Sequence, residues 1–130
     1  GHQDHDVTNC IASRFRKELN VFEYPEYNNY QNKINSNTFI KKTGYEVCYQ
    51  LTEKEIEFKK KALKIYNSEK SNLDYISLKK ECYRPIIEYD YNFPPHKGVL
   101  FYRRFSFFSW HPRVDSSHPS EICKILNEAI

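Results

Sequence analysis

The sequence predicts an all-α fold, a small disulfide-stapled helical domain built from two similar Cys-Tyr-Cys units. Three observations predict it. The only four cysteines fall into two matched spacings, C-x19-Y-x17-C (Cys10, Tyr30, Cys48) and C-x19-Y-x20-C (Cys82, Tyr102, Cys123). Apolar residues between them recur at helical intervals, most clearly in the charged middle of the chain. Only three glycines are present, fewer than a turn-dense β-sandwich uses. The expected organisation is a single domain over 1–130, with repeat units at about 7–50 and 79–126 joined by a charged helical segment, 52–78.

Composition narrows the class. The hydrophobic fraction is 39% and the mean hydropathy −0.81, but 11 Tyr, 9 Phe and one Trp supply large rings for a core. The net charge of +3 is spread, with Lys interleaved with Glu, so nucleic acid is an unlikely partner. No apolar run reaches the ~20 residues of a membrane span. The cysteines form no C-x2-C pair of a zinc site, and their even number points to two disulfides made in an oxidising compartment. The alternative is four buried thiols in a reducing one. The chain opens Gly1-His2 without Met, which reads as a tag remnant on a secreted, mature chain whose signal peptide has been removed.

Taken in order, residues 1–6 are polar and expected to be loose, so His2, Asp4 and His5 read as a frayed terminus rather than a metal site. Residues 7–20 predict a helix with Cys10 or Ile11, Phe15, Leu19 and Phe22 near one face. Residues 21–36, rich in Asn and holding Pro25, predict a loop or short helix carrying Tyr24, Tyr27 and Tyr30. Residues 37–50 predict a helix, with a strand at 45–51 as its competitor. Residues 52–66 predict the clearest helix, with the Thr52/Glu55 capping box and glutamates preceding lysines along the helix dipole. Its Lys59-Lys60-Lys61 run reads as a solvated face. Residues 71–84 predict another helix that Pro85 should end, and 86–91 a short resumption. For 98–110 helix and strand fit almost equally; alignment of Tyr102 with Tyr30 favours helix. Residues 120–130 predict a closing helix.

Four cysteines allow three pairings. The repeat suggests Cys10–Cys48 and Cys82–Cys123, each closing a loop worth about 4 kcal/mol in the chain-entropy account. A swapped pairing that ties the two halves together is the rival. His111, Asp115 and His118 could form an acid–base or metal cluster, but both His-Pro steps look like turn chemistry, and no nucleophile, phosphate-loop or zinc-protease motif accompanies them. No catalytic residue, metal site or cofactor is assigned.

Cys10, Tyr30, Cys48, Cys82, Tyr102 and Cys123, in a Tyr- and Lys-rich chain, resemble the paired CYC motifs of the bicycle proteins, secreted salivary effectors of gall-forming aphids. The resemblance implies a helical fold, delivery into plant tissue and no known enzymatic activity. The expected function is then a secreted effector that binds a host protein or other macromolecule, with Tyr24, Tyr27, Tyr89 and Tyr91 as contact residues. The simpler reading of the Tyr24, Tyr27 and Tyr30 rings is core cover with hydroxyls turned to water. Two alternatives are a small secreted hydrolase or nuclease using His111 and His118, and a carrier of an apolar ligand held by Phe101, Phe105 and Phe108.

Overall fold

Thr52 accepts a hydrogen bond from the Glu55 backbone N–H while the Glu55 carboxylate accepts one from the Thr52 N–H at 2.8 Å. This reciprocal cap starts a helix where the sequence predicts one. Much of the rest departs from the all-α expectation. The computed structural model describes residues 3–103, 105–108, 110–111 and 117–129, and they form a mixed α/β fold with two antiparallel sheets.

The chain begins with α1 (Gln3–Ser13), which runs into a 3-10 turn, Arg14–Lys17. Residues 3–6 are thus helical, not loose. Short strands β1 (Phe22–Glu23), β2 (Tyr27–Asn28) and β3 (Asn35–Ser36) follow, with a 3-10 turn, Tyr30–Asn32, between the last two. Strand β4 (Val47–Gln50) stands where a helix over 37–50 was expected, which settles that segment for its competitor. Helix α2 (Glu53–Ile65) and the four-residue α3 (Lys70–Leu73) lead to β5 (Lys80–Pro85). Two 3-10 turns, Phe101–Arg103 and Ser106–Phe108, replace the helix expected over 98–110, and residues 86–90 hold no helix. Helix α4 (Pro119–Glu128) closes the chain.

Strand β5 overturns the helix expected over 71–84. It is the centre of a three-stranded sheet in the order β1-β5-β4, pairing Phe22 with Pro85 on one side and Cys48 with Cys82 on the other. Its inward positions are Cys82 and Arg84, followed by Ile86, a period of two. Pro85 sits at the strand's last position, where a missing donor costs least. Strands β2 and β3 form a separate hairpin. Just beyond it Asn37, with a positive φ of 48°, is buried and donates its side-chain amide to the Lys80 carbonyl at 2.6 Å, tying the hairpin to β5. Asn tolerates this left-handed geometry better than most residues.

Among the described residues the buried apolar side chains are Cys10, Cys82, Ile86, Leu100, Phe101, Tyr102, Cys123 and Leu126. Phe101 joins Tyr27 at a ring separation of 4.4 Å and Tyr75 at 5.5 Å. Phe15, Leu19 and Phe22, expected to face inward, are exposed. Helix α2 buries no residue fully; Lys59 anchors it by donating to the Ser77 carbonyl at 2.7 Å and pairing with Glu81. Among the described residues, no helix is long and apolar enough to cross a membrane.

Candidate functional site

Because β5 alternates, Arg84 points inward, and among the described residues it is the most deeply buried large side chain, 1% exposed. A buried guanidinium is tolerable only if its donors are matched. Here Nε donates to Glu23 at 2.7 Å, and Nη1 donates to Glu46 at 2.7 Å and to the Lys41 carbonyl at 2.6 Å. Nη2 donates to the Tyr89 hydroxyl at 2.8 Å. The guanidinium lies 3.9 Å over the Phe39 ring, a cation–π contact. The Tyr89 hydroxyl donates a hydrogen bond to the Glu23 carboxylate at 2.8 Å, and Asn9 donates to the other Glu23 oxygen at 2.8 Å.

The electrostatics follow from this wiring. Burial alone would raise the Glu46 carboxyl, but hydrogen bonds from Arg84 and from Thr43 outweigh it and hold it down at about 2. Burial, then the Glu23 bond, pushes the Tyr89 hydroxyl well above the ordinary phenol range. Burial opposes the charge on Arg84, and its bonds to Glu23, Glu46 and Tyr89 restore it. Glu46 and Arg84 are therefore held as an ion pair beside a neutral Tyr89 hydroxyl, and the cluster's hydrogen bonds knit β1, the 41–46 loop, β5 and Tyr89.

Over this cluster opens a groove of about 570 Å³. All four tyrosines proposed as contact residues, Tyr24, Tyr27, Tyr89 and Tyr91, line it. Their roles differ. Tyr24 is exposed; Tyr27 packs on Phe101 and, edge-on, on His5; Tyr89 belongs to the arginine cluster; and Tyr91 donates to the Asn9 side chain at 2.6 Å. Leu100, Ile86 and Leu126 contribute apolar wall, and His5 with Glu26, 3.1 Å apart, contributes polar lining.

The remaining sequence-chosen residues scatter. Cys48 and Cys82 form a disulfide across facing positions of β4 and β5, the pairing that ties the halves, rather than the within-unit pairs the repeat suggests. Cys10 on α1 and Cys123 on α4 are buried free thiols, each raised above its usual pKa by burial, and Cys123 borders the groove. Tyr30 and Tyr102 both sit in 3-10 turns, but Tyr102 is buried while Tyr30 is at the surface, edge-on to His96 at 5.7 Å. His118 caps α4, its Nδ1 accepting from the Ser120 N–H, and His111 lies beside the Trp110 ring. Asp115 lies outside the described residues. Phe101, Phe105 and Phe108 do not line the groove. Among the described residues no three His, Cys, Asp or Glu side chains cluster closely enough to hold a metal ion.

Sequence reasoning missed Arg84, Glu23 and Glu46, the residues that organise the site. The one available signal was the alternation Cys82–Arg84–Ile86. No protein-family model, curated protein or solved structure matches this chain.

Proposed function

We propose that the chain is a secreted binding protein that holds a segment of a host macromolecule in the tyrosine-lined groove. The reading agrees with the plant-directed salivary effectors whose paired Cys-Tyr-Cys motifs the sequence resembles. The observation that carries it is the convergence of Tyr24, Tyr27, Tyr89 and Tyr91 on one groove of about 570 Å³. Tyrosine gives a recognition surface a large apolar contact and a polar tip while ordering few torsions. The buried arginine cluster beneath keeps two of those rings, Tyr89 and Tyr91, pre-set. A groove that needs no rearrangement loses less entropy on binding. The Cys48–Cys82 disulfide is compatible with an extracellular protein.

The test is photo-crosslinking from position 24, with a benzophenone amino acid in place of Tyr24, in a plant tissue extract. A discrete adduct is expected, competed away by unlabelled wild-type protein but not by a Tyr91→Ser/Phe93→Ser competitor. Equal competition by that variant removes the groove from the binding site. A second reading, a carrier of a small apolar ligand, is favoured by the groove volume and its Leu100, Ile86 and Leu126 wall. Native mass spectrometry of protein recovered from its source separates the two, since a carrier retains a small-molecule adduct.

A further inference from the structure

Residues 91–114 contain no acidic side chain, four basic ones (Lys97, Arg103, Arg104 and Arg113) and eight of the 21 aromatic rings. The window is thus +4 in a chain of +3, so the remainder of the protein nets −1. What sets the window apart is its lack of acids between Asp90 and Asp115, since its share of basic residues is that of the whole chain. Within the window the rings divide. Phe101 and Tyr102 are buried, whereas Phe107, Phe108 and Trp110 stand out at 94%, 54% and 76% exposure, beside the half-exposed Phe105. Lys97 is exposed and Arg103 partly so. A 3-10 turn, Ser106–Phe108, presents the rings on a short protrusion rather than a groove wall.

We infer that the aromatic protrusion around Phe107, Phe108 and Trp110 is an interfacial anchor for an anionic phospholipid membrane. Two facts select this occupant. Exposed Phe and Trp together are the residues that settle at the boundary between headgroups and acyl chains. The charged side chains of the 91–114 window are all basic, and that sign complements phosphatidylserine-type headgroups; each basic residue near such a surface strengthens binding about fivefold. The surface lies outside the tyrosine-lined groove, none of whose lining residues is Phe107, Phe108 or Trp110, so this inference is independent of the groove reading.

Trp110 is the only tryptophan, so its fluorescence reports on this protrusion alone. Titration with vesicles of 70:30 phosphatidylcholine to phosphatidylserine is expected to shift Trp110 emission to the blue and to co-sediment the protein. Pure phosphatidylcholine vesicles, or the anionic vesicles in 0.5 M salt, should bind at least ~10-fold more weakly. Phe107→Ser/Phe108→Ser should lose ~10-fold or more while its far-ultraviolet circular dichroism stays that of the wild type. Lys97→Glu, an exposed change that leaves every ring in place, should lose several-fold on its own. Tyr24→Ser, in the groove, should bind vesicles as the wild type does. Absence of both blue shift and co-sedimentation at millimolar anionic lipid overturns the inference. So does binding that is indifferent to lipid charge, or that survives in the Phe107/Phe108 variant.

Discussion

Strand β5 places a charged side chain inside the protein, and the run that follows it places aromatic rings outside. Arg84 is 1% exposed, whereas Phe107 is 94% exposed. On hydrophobicity alone the two should be exchanged. The difference shows that burial here follows hydrogen-bond pairing as much as apolarity. Arg84 is buried because Glu23, Glu46, Tyr89, the Lys41 carbonyl and the Phe39 ring meet it from separate segments. Phe107 and Trp110 belong to a segment whose apolar share of the core is already supplied by Leu100, Phe101 and Tyr102. The first region ties separate segments of the fold together, and the second carries rings that the core does not use.

The sharpest way to break this contrast is Arg84→Ala. It strands Glu23 and Glu46 in a buried site, and urea unfolding should show a loss of about 3–5 kcal/mol. A loss under about 1 kcal/mol would mean that the cluster does not organise the fold. Next comes the cross-strand bridge. Cys48→Ser/Cys82→Ser should cost about 3–4 kcal/mol by the loop-entropy relation, read from the same denaturation curves, and mild reduction of the wild type should reproduce it.

The third prediction turns on pH. Glu46 is held at about 2 in the folded protein against an ordinary 4.5. A carboxyl lowered by folding stabilises the native state above its unfolded value and loses that contribution as pH falls through the folded one. The stability difference between wild type and Glu46→Gln should therefore be steady above pH 5, shrink between about pH 4.5 and 2, and vanish below that. A difference unchanged across this range would remove the ionised Glu46–Arg84 pair from the account. The smallest effect belongs to the other region. Phe107→Ser/Trp110→Ser should shift the unfolding free energy by no more than about 0.5 kcal/mol, as an exposed site allows.

What the sequence made legible follows the same divide. Helix α2 was readable because its signals are local: Thr52 and Glu55 lie one turn apart and cap each other. Helix α4 was readable from the apolar spacing of Ile122, Cys123 and Leu126, with Cys123 and Leu126 buried as that spacing requires. Strand β5 was not, because its inward row Cys82–Arg84–Ile86 carries an arginine where a hydrophobic pattern demands an apolar residue. Leu73 and Ile76 upstream then completed a false helical period. Nor could any local pattern show that Glu23, sixty-one positions away along the chain, meets Arg84. The groove was half legible: its tyrosines were picked out, but the spacing of Tyr24 and Tyr27 could not bring Tyr89 and Tyr91 beside them.

The Cys48–Cys82 bridge joins the ends of a covalent ring that contains all of α2 and α3. Eight lysines lie inside that ring, between Tyr49 and Glu81, and α2 presents most of its surface to solvent. A trypsin-like protease meeting the protein outside a cell would find its easiest targets there. Yet one cut anywhere in the ring frees nothing: the two pieces remain a single molecule, with β4 still fastened to β5 and the groove residues untouched. A single cleavage there should thus leave a nicked form that keeps its full mass on a non-reducing gel and divides only when the disulfide is reduced.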